Sequence, residues 1–179
     1  MIPDNSWRYG RHLITARNSG VNSWDCLGPM ALKPSAIHFI ADNFPKGMKI
    51  LELGSGTGTE SLLDKGFSVF SIEQDPEWAF KYHEGYILAP LKFNEIDNRW
   101  WFDPIYLKGK IPTGYDFLLI DGPSGPKGCR LGILENLELF NMNVPILVDD
   151  VNRPEDLELF NILSEGRESS LHGSFGVIQ

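Results

Sequence analysis

The stretch Ile50-Leu51-Glu52-Leu53-Gly54-Ser55-Gly56-Thr57-Gly58-Thr59-Glu60 decides how this chain folds. The apolar run from Met48 to Leu53 reads as a buried strand, and it breaks abruptly into three glycines on alternate positions. A helix-compatible stretch follows. A strand that turns sharply into a helix leaves backbone N–H groups pointing into the crevice at the strand's carboxyl end. Glycine lets a ligand touch that backbone, because no Cβ stands in the way. The dinucleotide fingerprint is G-x-G-x-x-G. Here the spacing is G-x-G-x-G, and Thr59 stands where the third dinucleotide glycine would fall. A tight turn with no ligand is the plain alternative, and three alternating glycines argue against it.

Downstream, Phe67 to Glu73 alternates apolar and polar residues and reads as a second strand. Glu73 ends it, about twenty residues beyond the first glycine, where an acidic residue meets a ribose hydroxyl in such βαβ units. A carboxylate accepts hydrogen bonds from a vicinal diol better than a neutral group does. Asp75 is placed to cap a helix over Pro76–Tyr82, with Pro76 at its first position. Upstream, Pro34 to Phe44 reads as a helix with Ile37, Ile40, Ala41 and Phe44 on one face, and Pro45-Lys46-Gly47 stops it. His38 lies off that stripe and reads as structural or solvated. Residues 1–33 lack periodicity and read as an arm over the main domain, 34–179. Arg8, Arg11 and His12 in the arm are either solvated or part of a lid that contacts substrate.

Further strands are predicted over Tyr86–Leu91, Tyr115–Asp121 and Pro145–Asp150, with a final hairpin near Ser170–Gln179. The run Phe117 to Ile120 is continuously apolar, as expected of a strand covered on both faces. Between Lys92 and Pro112, Trp100, Trp101, Phe102 and Tyr106 either wall a ligand pocket or belong to peripheral core. Leu131, Leu134, Leu137, Leu139 and Phe140 give the helix between the fourth and fifth strands an apolar face. Asn152 and Glu155 have capping-box spacing with Pro154 in the first turn, so Asn152 reads as a helix cap.

Strands alternating with helices point to a doubly wound α/β sheet, in which the fourth and fifth strands are parallel neighbours. Their carboxyl ends then bring Asp121, Asp149 and Asp150 together beside the glycine loop. Three converging carboxylates repel one another unless protons or a cation neutralise them. Oxygen-only ligands suit Mg²⁺ or Mn²⁺, which bind a substrate hydroxyl, lower its pKa and orient it. The alternative is internal ion pairing, Arg153 with Asp150 or Asp149.

The length, 179 residues, suits one α/β domain, and the net charge is −8. No lysine- and arginine-dense run appears, which argues against a nucleic-acid partner. Cys26 and Cys129 belong to no C-x-x-C motif and read as free thiols of a reducing compartment. No apolar run is long enough to span a bilayer, and the first residues are polar, so the expectation is a cytoplasmic protein without a membrane partner. The oligomeric state is not legible.

The E-L-G-x-G-x-G pattern of Glu52 to Gly58 resembles motif I of class I S-adenosylmethionine (SAM) dependent methyltransferases. Ser-Ile-Glu-x-Asp-Pro-Glu-Trp over Ser71–Trp78 is similar to a bacterial subgroup of that superfamily. The resemblance implies a mostly parallel, seven-stranded Rossmann-like sheet. It implies SAM contacts from Glu52, Gly54, Ser55, Gly56, Gly58, Glu73, Gln74 and Asp121, with Asp97 or Asp103 as further candidates for the adenine amino group. Asp121, Asp149 and Asp150 also match the metal ligands of catechol-type and antibiotic-sugar O-methyltransferases. That match implies Asp121 or Lys127 as general base, although the catechol family's lysine falls at Ser124 here. D-G-P-x-G from Asp121 and D-D-x-x-R from Asp149 to Arg153 look like uncharacterised bacterial methyltransferases and plant glucuronoxylan 4-O-methyltransferases. That likeness implies Arg130 and Arg153 as partners of a substrate carboxylate. The expectation is a SAM-dependent O-methyltransferase of a small sugar or sugar acid, with divalent-metal assistance as an option. A SAM-cleaving enzyme and a non-catalytic SAM-fold subunit are the rivals. A dehydrogenase is disfavoured by Thr59. Nucleic-acid methylation is disfavoured by Asp121-Gly122-Pro123-Ser124, which replaces the N-P-P-Y or N-P-P-F tetrad.

Overall fold

Pro34 fixes a helix start, and the computed structural model, which describes residues 32–95, 98–124 and 128–179, opens with α1 (Pro34–Asn43). Then come β1 (Lys49–Leu53), α2 (Thr57–Asp64), β2 (Ser68–Glu73), β3 (Tyr86–Leu88), β4 (Leu91–Asn94), β5 (Arg99–Phe102), α3 (Pro104–Leu107) and β6 (Phe117–Ile120). A 3₁₀ segment (Arg130–Leu139), β7 (Ile146–Val148), α4 (Pro154–Leu163), β8 (Ser169–His172) and β9 (Phe175–Ile178) complete the chain. No helix among the described residues is long and apolar enough to cross a membrane.

Seven strands form one sheet in the order β3-β2-β1-β6-β7-β9-β8. The first five are parallel, and β9 and β8 close the sheet as an antiparallel hairpin. The order reverses between β1 and β6, so the ligand crevice of such a sheet opens at their carboxyl ends. Leu53 lies opposite both Ile72 and Ile120, and Ile120 lies opposite Val148. This register brings Gly54, Glu73, Asp121 and Asp149 level with one another across four adjacent strands.

Strand alternation splits the core in two. Leu51, Leu53, Ile72, Leu118 and Ile120 face a layer built by the β4–β5 hairpin, α3, the 3₁₀ segment and α4. Ile50, Val69, Phe117 and Leu119 face α1 and α2, with Leu32, Ile37, Ile40 and Leu62 buried between. The predicted α/β class, the parallel strands and the terminal hairpin are all present.

Four local expectations differ. The helix over Pro76–Tyr82 is only a turn: the Asp75 carbonyl accepts from the Trp78 and Ala79 N–H groups, and Phe80 turns left-handed at φ 61°. The predicted strand Tyr86–Leu91 breaks at Ala89-Pro90, where proline supplies no ladder donor, and the chain leaves the sheet as the β4–β5 hairpin. The helix after β6 is 3₁₀ and kinked at Asn136 (φ −137°), whose side-chain amide donates to the Gly132 carbonyl at 2.9 Å. Arg153, not Asn152, occupies the N-cap of α4, without a side-chain cap bond. Of the predicted arm, only Leu32 and Lys33 fall within the described residues.

Candidate active site

At the β1–α2 turn, two of the three glycines are required by packing. Gly54 adopts φ 85°, and a Cβ there would lie 2.8 Å from the Gly122 backbone. A Cβ on Gly122 would reach the Gly54 backbone at 2.6 Å. The turns after β1 and β6 therefore touch backbone to backbone, at the point where the strand order reverses. A Cβ on Gly58 would meet Leu32 Cβ at 2.6 Å. Gly56 is the N-cap of α2 in an extended conformation (φ −163°), and its N–H donates to Thr59 Oγ1 at 3.1 Å.

Glu73 stands beside this turn, buried at the end of β2. Its Oε2 accepts from the Ser55 N–H at 2.7 Å, and its Oε1 accepts from the Gln74 and Asp75 N–H groups at 2.8 and 2.7 Å. Among the described residues, three of about four acceptor positions are thus used to tie the two strand-end turns together. Burial raises the pKa of Glu73, against the pull of those three N–H groups. Two buried acceptors nearby in sequence, Gln74 Oε1 and Thr57 Oγ1, have no hydrogen-bond partner among the described residues. Gln74 is among the SAM contacts the resemblance implies; Thr57 is not, though a hydroxyl at the first position of a helix between two glycines is a usable signal.

Glu52 sits beneath the loop instead of lining the crevice. Its Oε2 accepts from Thr59 Oγ1 at 2.8 Å and from Ser71 Oγ at 2.7 Å. Burial raises its pKa to about 8, against the pull of those two hydroxyls.

Across the crevice, carboxylate oxygens of Asp121, Asp149 and Asp150 lie within 4.8 Å of one another, so the expected cluster forms. Asp149 is 2% exposed, and its Oδ1 has no partner among the described residues. Burial first, then the neighbouring Asp150, raises the Asp149 pKa to about 6. Burial also raises Asp121, which Arg130 partly offsets. Asp150 follows in the left-handed region at φ 57°, a strained conformation for a non-glycine residue.

Arg130 is the main correction. The likeness placed it on a substrate carboxylate, but its side chain is 5% exposed and turned into the protein. Nη1 donates to the Asp149 carbonyl at 2.7 Å, and Nη2 to the Asp121 carbonyl at 2.6 Å, Asp121 Oδ1 at 2.8 Å and Asp150 Oδ2 at 3.2 Å. Asp156, not foreseen, adds an ion pair to Arg130 at 3.5 Å. A planar guanidinium suits this fork of carbonyl and carboxylate oxygens. Arg153 pairs with Asp150 Oδ2 at 2.9 Å, as the ion-pair alternative expected, yet its side chain stays 59% exposed at the rim. Lys33 reaches Asp150 Oδ1 at 3.7 Å.

Lys127 and Asp97 lie outside the described residues, as do Arg8, Arg11, His12 and Cys26. Asp103 N-caps α3, its Oδ1 accepting from the Ile105 N–H at 3.0 Å. Of the two alternatives for the aromatic stretch, Trp101 and Phe102 are buried core, and a cavity of about 270 Å³ beside the hairpin and the 3₁₀ segment is lined by Lys92, Asn94, Arg99, Trp101, Glu135 and Asn136.

No family model matches this sequence, and no curated protein does. Among solved structures, a methyltransferase-like protein of Silicibacter pomeroyi superposes with a TM-score of 0.55 at 18% identity, over 84% of this chain and 89% of that one. A TehB-like SAM-dependent methyltransferase of Corynebacterium glutamicum aligns over 80% of this chain and 85% of its own, at 17% identity and a TM-score of 0.45. The strand order and the first of these structures together give the chain the doubly wound, seven-stranded Rossmann-like fold seen in methyltransferase-like proteins.

Proposed function

We propose that this chain is a SAM-dependent O-methyltransferase of a small hydroxylated substrate, a sugar or sugar acid, working in the cytoplasm. The observation that carries the reading is the level row Gly54, Glu73, Asp121 and Asp149 at the carboxyl ends of four adjacent strands, with Gln74 following Glu73 and Thr57 inside the glycine loop. Glu73, Gln74 Oε1 and Thr57 Oγ1 are all acceptors. They suit the donors of SAM: ribose hydroxyls, an adenine amino group and an ammonium. The extended backbone at Gly56, the N-cap of α2, gives the cofactor a surface to lie against. SAM supplies an electrophilic methyl group that a substrate oxygen displaces in one step, so the protein's task is to orient and deprotonate.

Asp121, Asp149 and Asp150 fit a hard divalent cation: three carboxylates converge, and Asp149 Oδ1 is buried and unpartnered among the described residues. When bound, Mg²⁺ or Mn²⁺ would acidify the substrate hydroxyl. Asp121, with its raised pKa, is suited to take the proton, and Lys127 is the other candidate base. Arg153, paired with Asp150 yet exposed at the rim, is the proposed partner of an acidic substrate group. A second reading has its own support. Arg130 already neutralises part of the cluster, which favours a metal-free site with Asp121 acting as base alone.

The test is product analysis with SAM and a panel of sugars and sugar acids, with and without Mg²⁺. A methylated acceptor and S-adenosylhomocysteine in equal amounts support the proposal. SAM consumed without any methylated product points to a SAM-cleaving enzyme. SAM bound and never consumed points to a non-catalytic subunit. Loss of turnover on chelation separates the metal reading from the metal-free one.

A further inference from the structure

Beneath the glycine loop, six side chains from four segments form one hydrogen-bonded chain. It runs from Tyr86 Oη to Ser55 Oγ (2.7 Å), Thr59 Oγ1 (3.1 Å), Glu52 Oε2 (2.8 Å), Ser71 Oγ (2.7 Å) and His83 Nε2 (3.0 Å). Its ends meet, because the His83 and Tyr86 rings stack at 4.1 Å and 21°. Glu52, Thr59, Ser71 and His83 are all buried.

The proton on each link can be placed. The Gly85 N–H can only donate, and it donates to His83 Nδ1 at 3.0 Å. Burial lowers the His83 pKa to about 4, so the ring is neutral and its single proton sits on Nε2. Nε2–H therefore donates to Ser71, and the Ser71 hydroxyl is left to donate to Glu52. Thr59 also donates to Glu52, so its oxygen accepts from the Gly56 N–H and from Ser55. Ser55 has then spent its proton, and Tyr86 donates to Ser55. Every donor points toward Glu52 from both sides. With Glu52 Oε2 as the shared acceptor every link of the chain is satisfied, and each bond polarises the next.

We propose that His83 is a positioning residue for the glycine loop. Acting through Ser71 and Glu52, it holds the Thr59 hydroxyl on Gly56 and Ser55 and so fixes the backbone that meets the cofactor. The cofactor part rests on the SAM reading above; the loop part does not.

The test compares His83→Gln, His83→Phe and Ser71→Ala in the full chain. Glutamine places an N–H near the Nε2 position but loses the stack on Tyr86. Phenylalanine keeps the ring and loses the donor. Ser71→Ala leaves the stack untouched and removes the link. Two readouts are taken: hydrogen exchange of the Gly56 amide without ligand, and SAM affinity by titration calorimetry. The expected result is wild-type behaviour for His83→Gln, with roughly five- to tenfold faster Gly56 exchange and a similar loss of SAM affinity for His83→Phe and Ser71→Ala. Wild-type behaviour in His83→Phe, or equal losses in His83→Gln and His83→Phe, would overturn the proposal in favour of packing. If the wild-type chain binds no SAM, the proposed function fails, while Gly56 exchange still decides the role of His83.

Discussion

Asp149 and Arg130 show how much a single side chain's direction decides. A buried carboxylate oxygen without a partner is costly unless something in function uses it. Asp149→Asn keeps the shape and removes the charge, so it should abolish any Mg²⁺ binding signal while leaving SAM affinity within about threefold, both read by calorimetry. Arg130 carries the opposite expectation. Five oxygen atoms from Asp121, Asp149, Asp150 and Asp156 converge on its two terminal nitrogens. Arg130→Ala leaves the Asp121 carboxylate without its cation and Asp150 and Asp156 with weaker pairing, and should cost about 3–5 kcal/mol in urea unfolding. An arginine bound only to substrate would cost little stability. The sequence placed the three aspartates correctly because strand ends follow from apolar runs. It could not show that Arg130 turns inward, because a guanidinium after a Gly- and Pro-rich loop suits both a substrate and a buried acid cluster. Asp156 was missed for a related reason: in the first turn of a helix it reads as a favourable terminal charge.

The turns after β1 and β6 behave as one unit because their backbones touch. Gly122→Ala should destabilise by about 1–3 kcal/mol, since backbone at 2.6 Å cannot move aside cheaply. Gly54→Ala should cost more, because its φ of 85° adds roughly 1–2 kcal/mol of left-handed strain. Thermal unfolding of the two variants checks both magnitude and order. Gly47→Ala is the control: its φ is 83° but nothing lies within 4 Å, so it should show the strain alone. The three-glycine pattern was read as a ligand cradle, yet Gly54 and Gly58 are explained by Gly122 and Leu32. Contacts of that kind join distant stretches and leave no mark in a local motif. Elements with strong periodicity or a proline start, β1, β2 and α1, were legible. The turn at 76–80 and the 3₁₀ segment were not, because Phe80's left-handed backbone and the Asn136 side-chain bond override helical spacing.

The whole molecule should lose stability as pH rises from neutral to mildly alkaline. Glu52 keeps its proton to about pH 8 in the fold, against an ordinary value of 4.5. Between those values the native state holds the extra proton, so raising pH favours unfolding. His83 works in the opposite sense: its unfolded form, half protonated at the ordinary value of 6.5, gives up that proton over the next pH unit and offsets about 0.4 kcal/mol of the loss. From pH 6.5 to 8, stability should therefore fall by about 2 kcal/mol from Glu52 alone. Glu52→Gln keeps an acceptor for Ser71 and Thr59, and its thermal midpoint should fall clearly less over the same window, the remainder coming from Asp121, which burial also raises. An equally steep fall in that variant would move the cause elsewhere. At this scale the sequence was most informative: alternating strands and helices set the doubly wound class, and the class set which strand ends converge. The substrate is a different matter, because acceptor-facing side chains come from loops and a rim that no periodicity governs. The most direct measurement is titration calorimetry of the chain with SAM and with NAD, each with and without Mg²⁺. Micromolar binding of SAM, no binding of NAD, and a Mg²⁺ signal lost in Asp149→Asn are the results expected. NAD binding, or no SAM binding under either condition, would contradict the reading of the glycine loop and of the site built around it.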